Sequence, residues 1–380
     1  MLYMKITFSK RIIIILSFFS LLLTSCAHTR YIGKLAWGEA KILGGSVPLQ
    51  EILDDEGVEK EIKEGIRLVQ EVKEFSHQRL GLRLDGAYET FYQVKGDALI
   101  YLVSACPQDS LEPYTWRFPI VGRVEYKGFF SEKDAINEIR KLREQGYDTC
   151  LQQAIAFSTL GWLSDPLYST VVARHPVVIM NIVIHELVHT TVFFKGDTEF
   201  NEHIASFIAE KGTLMFIAER FGSSSDWYQF ARELARDEDL VAGFFQGLYD
   251  SLMELYAQDI SLKEKLKMKE EIFAQGRQDW IKLGRHLTAE DLSGRIGNLN
   301  NAVVLAYRRY LPSSTGLLHQ VYEALGDDLK GLIELLCAIR EAKEPPQPFL
   351  EQWLRERSCY PSDDDLQSSS FTLTGKPLSR

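Results

Sequence analysis

The chain has 380 residues, of which 45% are hydrophobic and 25% are charged, so it can bury a large core in one or two domains. Its formal net charge is -10. This acidic balance argues against a nucleic-acid partner, because a phosphate-binding surface needs clustered Lys and Arg.

The first 25 residues are typical of an export signal. Basic residues precede an apolar run at residues 12–23, which is too short to span a membrane comfortably. The tetrapeptide LTSC at residues 23–26 resembles the lipobox of bacterial lipoproteins. The resemblance implies that residues 1–25 are removed and that a lipid on Cys26 tethers the chain to a membrane; a plain signal peptide or a signal anchor is the alternative. The resemblance to lipoproteins, with Ala27 rather than Asp after the cysteine, implies the outer membrane, facing the periplasm, in a Gram-negative host.

Hydrophobic spacing predicts an α+β fold that is mostly helical, with a small β-sheet in the N-terminal half of a domain at residues 26–355. The expected elements, in chain order, are helices within 31–85, strands at 98–106 and 118–130 inside a β-rich part at 86–130, a capped helix at 131–146, helices over most of 176–350, and a loose polar tail at 356–380.

The stretch HELVH, at residues 185–189, has the H-E-x-x-H pattern of zinc hydrolases. Its helix should start at Pro176, and it is apolar on nearly every face, so we expect it to be buried. His185 and His189 share one face, where both imidazoles can bind one zinc ion, and Glu186 can act as the general base. A hydrogen-bonded histidine pair is the alternative, but such polar groups are costly on a buried apolar helix unless they are paired or metal-bound.

A catalytic zinc ion needs a third protein ligand, and the next helix supplies candidates. This helix should start at Asp197 or Thr198 and fold back along the first, because only the short turn KGD separates them. The pair would span residues 176–220. The candidate ligands are Glu199, Glu202, His203 and Glu210. The first three are favoured, because Glu210 lies about two turns beyond Glu202.

A family resemblance favours one of these candidates. FNEHIASF, at residues 200–207, resembles the N-E segment that follows H-E-x-x-H in the aminopeptidase N class and in thermolysin-like peptidases. The resemblance implies a zincin-like domain in which Glu202, next to Asn201, is the third ligand of one Zn²⁺ ion. The gap between His189 and Glu202 is shorter here than in those families, which implies a tighter connection.

A second resemblance covers most of the chain. Residues 31–53, 110–130, 185–207 and 298–312 resemble successive blocks of a bacterial lipoprotein family of predicted aminopeptidases. It implies a zinc peptidase with a peptide substrate, most simply an aminopeptidase. A zinc endopeptidase, and a non-catalytic zinc-fold lipoprotein that binds a partner, are the alternatives. That family carries cysteines where this chain has Arg117 and Arg123, so no disulfide is expected there.

Peptide hydrolysis also needs a hydrogen-bond donor for the developing oxyanion. Tyr307 and Tyr310 are candidates, and the block similarity implies Tyr310; His286 is a further candidate. Each tyrosine can equally pack in a helical core. Glu199 is a candidate for binding the free amine of a substrate, although a solvent-exposed glutamate at a helix start is the favoured interpretation.

Four cysteines follow Cys26 in the chain. Cys106, Cys150, Cys337 and Cys359 can form disulfides in an exported protein, and buried free thiols are the alternative. No C-x-x-C pair is present, which argues against a thiolate zinc site.

Overall fold

The computed structural model describes residues 30–96, 98–118, 122–154, 165–288, 299–310 and 316–358, except for the side chains of residues 309 and 310. Helices dominate these ranges and short strands form small sheets, so the predicted α+β, mostly helical class is confirmed. Cys26, the predicted export signal before it and most of the predicted polar tail lie outside the described residues. Within the described ranges, no helix is long and apolar enough to cross a membrane.

The described ranges contain the expected helices and strands in the expected order, together with short strands that the sequence did not predict. The helices are α1 (30–45), α2 (Leu49–Asp54), α3 (Lys60–Leu80), α4 (Glu132–Glu144), α5 (Ser169–Val172), α6 (Pro176–Thr191), α7 (Thr198–Phe221), α8 (Asp226–Tyr256), α9 (Leu262–Gly284), α10 (Asn301–Tyr310), α11 (Leu317–Ala324), α12 (Leu329–Ala342) and α13 (Pro346–Ser358). The strands are β1 (Val47–Pro48), β2 (Thr90–Tyr92), β3 (Ile100–Pro107), β4 (Trp116–Phe118), β5 (Gly122–Val124), β6 (Tyr126–Phe129), β7 (Tyr147–Ala154) and β8 (Leu167–Tyr168).

The strands form three small sheets where the sequence indicated one. In the first, β2 pairs antiparallel with β1 and parallel with β8. In the second, β3 lies between β6 and β7 and is antiparallel to both. In the third, β4 and β5 form a short antiparallel ribbon in which Arg117 lies opposite Arg123. β7 was not predicted, because its sequence YDTCLQQA lacks a clear apolar alternation.

Helix α6 lies at the centre of the main core, as its apolar sequence predicts. Pro176 occupies its first turn, and the His175 side chain accepts a hydrogen bond from the Val177 N–H at 3.3 Å. α6 packs between α3 and α7. Gly212 of α7 permits this close approach, because a β-carbon there would lie only 3.2 Å from the side chain of Ile184. The packing fixes α7 against the face of α6 that carries the histidines.

A second helical group, α8 to α10, is joined to the β3–β7 sheet by buried polar contacts. The Lys269 ammonium donates to the Asp148 carboxylate at 2.6 Å, and both side chains are largely buried. The Asn301 side-chain amide donates to the carbonyls of Pro107 and Ser110 at 2.9 and 3.0 Å. These bonds hold α10 beside the sheet.

The cysteines of the described ranges are free thiols. Cys106 and Cys150 are buried, and Cys337 is partly buried. The free-thiol interpretation is therefore the correct one for these three residues, while Cys359 lies outside the described residues.

Glu238 of α8 should make the fold less stable above neutral pH. Burial, followed by the charges of Glu210, Asp239 and Asp237, raises the pKa of Glu238 to about 7. A carboxyl whose pKa is raised by folding contributes stability below its unfolded pKa of about 4.5, and that stability is lost as the pH rises through 7. We expect Glu238→Gln to raise the free energy of unfolding by about 1–3 kcal/mol at pH 8.

At pH 5 the same substitution should change the free energy of unfolding only a little. Denaturant unfolding of the wild type and the variant at both pH values measures the difference. Glu233→Gln, on an exposed position of the same helix, is the matched control. An equal increase in the free energy of unfolding at pH 5 and pH 8 would show that ionisation of the Glu238 carboxyl does not cause the stabilisation.

Candidate metal centre

The connection between α6 and α7 brings the H-E-x-x-H segment and the N-E segment together. α6 ends at Thr191, residues 192–197 form the turn, and α7 begins at Thr198, close to the predicted start. The Asp197 side chain caps α7 by accepting from the Phe200 N–H at 3.2 Å. Gly196 adopts a φ of 89°, which a residue with a β-carbon rarely takes up. This tight turn makes α7 run back along α6.

The buried side chain of Asn201 bridges the turn between α6 and α7. Its side-chain amide donates to the Phe194 carbonyl at 2.7 Å, and its side-chain oxygen accepts from the Phe194 N–H at 2.8 Å. The Asn201 side chain is only 1% exposed, so both bonds are shielded from water. This paired contact fixes the first turn of α7 and therefore the position of Glu202, the next residue. The asparagine of the N-E segment thus has a positioning role.

Replacing Asn201 with Ala should loosen this turn. Two buried backbone groups of Phe194 would lose their partners, at a cost of about 2–4 kcal/mol in the free energy of unfolding. Loss of a residue that orients a ligand should also weaken metal binding about 10–100-fold. Denaturant unfolding and metal titration measure the two effects. Asn137→Ala on α4, whose side chain has only a 3.4 Å contact with Arg140, should leave both unchanged.

Three side chains of α6 and α7 converge. The Nε2 atoms of His185 and His189 lie 3.1 Å apart. Glu202 places one carboxylate oxygen 3.3 Å from His185 Nε2 and the other 3.7 Å from His189 Nε2. In a tetrahedral site, two ligand atoms that each lie about 2.1 Å from a zinc ion are roughly 3.4 Å apart. The three observed distances bracket that value, so the group has the dimensions of a zinc site.

The electrostatics of this group favour a cation. Burial raises the pKa of Glu202, but hydrogen bonds to His185 and His189 outweigh it and hold that pKa well below its usual range. Glu202 is therefore an anionic oxygen donor beside two imidazole nitrogens. The Nδ1 atom of His189 is buried and makes no hydrogen bond within the described ranges. Two nitrogens and one carboxylate oxygen are a donor set that suits Zn²⁺ and leaves a coordination position open.

Glu186 lies one residue along α6 from the first histidine, beside the ligand group. Burial raises the pKa of this carboxyl, and Glu202 and Asp165 raise it further. His185 and His189 act in the opposite direction, but the pKa remains above its ordinary value. A carboxyl whose pKa is shifted toward neutrality is suited to accept and return a proton.

Sequence patterns gave no indication of three further residues near Glu186. The Tyr88 N–H donates to the Asp165 carbonyl at 2.8 Å, and Tyr88 is buried with a φ of 57°, which is unusual for a tyrosine. Burial, followed by the charge of Glu186, raises the pKa of the Tyr88 phenol. Burial and the charges of Asp165, Glu39 and Glu186 do the same for Tyr168 of β8. Tyr88 comes from one segment and Asp165 and Tyr168 from another, without a shared pattern, so only the fold brings them together.

The other ligand candidates lie outside the group. Within the described ranges, His185, His189 and Glu202 form the group that can hold a metal ion. Glu199 is exposed, as the favoured interpretation expected, and lies 3.5 Å from the Arg308 guanidinium. Glu210 pairs with Lys211 at 2.7 Å. The Nε2 atom of His203 is buried and makes no hydrogen bond within the described residues, and burial lowers the pKa of this histidine.

The candidates for the oxyanion donor have different surroundings. The ring of Tyr307 stacks on Phe245 with a centroid distance of 4.4 Å, and both belong to the core of the α8–α10 group. The core-packing interpretation therefore describes Tyr307. Tyr310 is the last residue of α10, and its side chain lies outside the described ones. His286 is exposed after the end of α9.

The α6–α7 pair thus presents a candidate metal centre, and the carboxyl of Glu186 follows its first histidine in the chain. A family profile described as "Putative aminopeptidase" matches residues 30–347, and the chain belongs to that family. The family description indicates a peptidase, and hence a hydrolase. Searches of curated proteins and of solved structures find no match.

Proposed function

We propose that this protein is a zinc-dependent aminopeptidase tethered to a membrane. The observation that carries the proposal is the convergence of ligand atoms from His185, His189 and Glu202 within 4.8 Å. Glu186, the residue after His185, interacts electrostatically with all three. The family description supports peptidase activity. Glu186 also argues against a purely structural site, because such a site needs no base and usually has four protein ligands.

Each residue of the site has a distinct task. A bound zinc ion supplies Lewis acidity, which polarises a scissile carbonyl and makes water a nucleophile near neutral pH. The two histidines on α6 and Glu202 on α7 hold three coordination positions. The Glu186 carboxylate accepts the proton of the attacking water and returns it to the leaving amine. We assign Tyr310 the hydrogen bond to the developing oxyanion.

The proposed tether is a lipid on Cys26. The lipobox-like LTSC at the end of the apolar run supports it. The mature protein would then act on exported peptides at the cell envelope, at the outer membrane facing the periplasm in a Gram-negative host.

Metal analysis of the purified mature protein, combined with peptide hydrolysis, tests this function. We expect about one zinc ion per chain. Free-amine peptides should be shortened from the N-terminus, whereas N-acetylated peptides of the same sequence should remain intact. Cleavage of both sets would favour the endopeptidase. Bound zinc without hydrolysis of either set would contradict both enzyme functions and favour the partner-binding lipoprotein.

A further inference from the structure

A basic basin lies between α1, β6 and α4, on a protein whose net charge is -10. Its volume is about 860 Å³. The cationic residues that line it are Arg30, Lys34, Lys41, Lys95, Lys127 and Lys141. Only Asp134 and Glu138 among the lining residues are acidic. The basin is therefore a local concentration of positive charge on an acidic protein.

Much of this charge is available to a partner. Lys34 pairs with Asp134 at 2.5 Å, and Lys127 pairs with Glu138 at 2.8 Å. The other four lining cations are exposed, and none takes part in an ion pair within the described ranges: Arg30, Lys41, Lys95 and Lys141. The uncompensated charge thus lies at the rim, where it faces solvent.

Helix α1 has two different faces. Tyr31 faces the fold and donates its hydroxyl to the Gly128 carbonyl at 2.9 Å, and Ile42 is buried on the same side. Arg30, Trp37 and Lys41 recur at helical spacing on another face. Trp37 is 65% exposed, and the Lys41 ammonium lies 5.5 Å from its ring centroid. An exposed indole among lysines is a combination that suits the interfacial region of a lipid bilayer.

We propose that this basic surface docks on an anionic phospholipid bilayer. Cys26 precedes Arg30 by four residues, which can span at most about 14 Å. A lipid on Cys26 would therefore hold the rim of the basin next to the headgroups, where Lys and Arg are attracted to negative charge. The inference rests on the proposed tether, and it adds that the protein docks in a fixed orientation. The charge at the rim and the exposed Trp37 fit a broad surface better than a small soluble anion.

Vesicle binding by the chain from residue 27 to 380 tests the surface without the lipid. This chain contains every residue that the structure describes. We expect co-sedimentation with phosphatidylglycerol vesicles in 50 mM salt, none with phosphatidylcholine vesicles, and release in 500 mM salt. Each basic residue near an anionic surface contributes about fivefold to the binding constant. The triple variant Lys41→Glu/Lys95→Glu/Lys141→Glu should therefore bind at least about 100-fold more weakly.

A second triple variant provides the matched control. Arg67→Glu/Arg232→Glu/Lys263→Glu reverses three exposed cations on α3, α8 and α9 and changes the net charge equally. It should bind vesicles within about threefold of the wild type, and circular dichroism should show that both triples are folded. Equal weakening by both triples would overturn the proposal, because net charge alone would then account for binding.

Two further outcomes separate the docking surface from the tether. Failure of the wild-type chain to bind phosphatidylglycerol vesicles overturns the docking surface, whatever Cys26 carries. Mass spectrometry of the mature N-terminus tests the lipid independently. An unmodified Cys26 in a chain that still binds vesicles through the basin would remove the tether from the proposed function and leave the docking surface standing.

Discussion

The Glu186→Gln variant should bind zinc like the wild type and lose peptide hydrolysis. Gln has the size and shape of Glu, but its amide cannot accept the proton of the attacking water. Removal of a general base costs about 10²–10⁴-fold, so kcat should fall within that range. Because Glu186 is not one of the three converging ligands, the zinc content should remain at about one ion per chain.

Metal analysis and initial rates on one free-amine peptide check both parts of this prediction. Glu219→Gln is the control, because Glu219 is an exposed carboxylate near the end of α7 that pairs with Arg79 at 2.8 Å. Its hydrolysis rate should stay within about threefold of the wild type, as for most surface substitutions. Hydrolysis at the wild-type rate by Glu186→Gln would exclude Glu186 as the base.

Local sequence patterns were sufficient to predict the helices that carry the site. Pro176 and the apolar run after it predict α6, and Asp197 caps α7 one residue before its first helical residue. These patterns work because hydrophobic periodicity and capping residues act over a few neighbouring positions. The same rules failed for β7, because its pairing with β3 along its whole length is a long-range contact that local apolar spacing does not reveal.

Helical spacing alone could not identify the third candidate ligand. Glu199, Glu202 and His203 all lie in the first turns of α7, and helical spacing left all three open. The resemblance to known peptidases favoured Glu202, and the structure places this carboxylate within 3.7 Å of both histidines. The bonds between Asn201 and Phe194 set the rotation of α7 in this turn. That interaction cannot be read from periodicity, because it depends on the path of the turn.

The surroundings of Glu186 could not be predicted at all. Tyr88 lies far from the motif in sequence, and Asp165 and Tyr168 precede α6. They come together because β2, which follows Tyr88, pairs with β8, and α5 connects β8 to α6. The positive φ of Tyr88 is a property of the folded backbone and leaves no trace in the local sequence. Long-range contacts of this kind set the electrostatics of Glu186, whereas the motif only identifies this residue as the candidate base.

Glu202→Ala should strip the metal from the protein. The change removes one of three ligands and the anionic charge that balances a divalent cation. Changes in residues that merely orient a ligand cost about 10–100-fold in affinity, so losing the ligand itself should weaken zinc binding by more than about 100-fold. Dialysis against a weak chelator followed by metal analysis should find about one zinc ion per wild-type chain and almost none in the variant.

Glu210→Ala is the matched control for this loss, because Glu210 lies on the same helix, two turns further along, and pairs with Lys211 instead. It should retain zinc and hydrolysis. Thermal unfolding gives a second measurement: added zinc should raise the Tm of the wild type and of Glu210→Ala but not that of Glu202→Ala, since only a folded state that binds the ion is stabilised by it. Stoichiometric zinc in Glu202→Ala, together with its loss from His203→Ala, would move the third ligand to the neighbouring residue of α7.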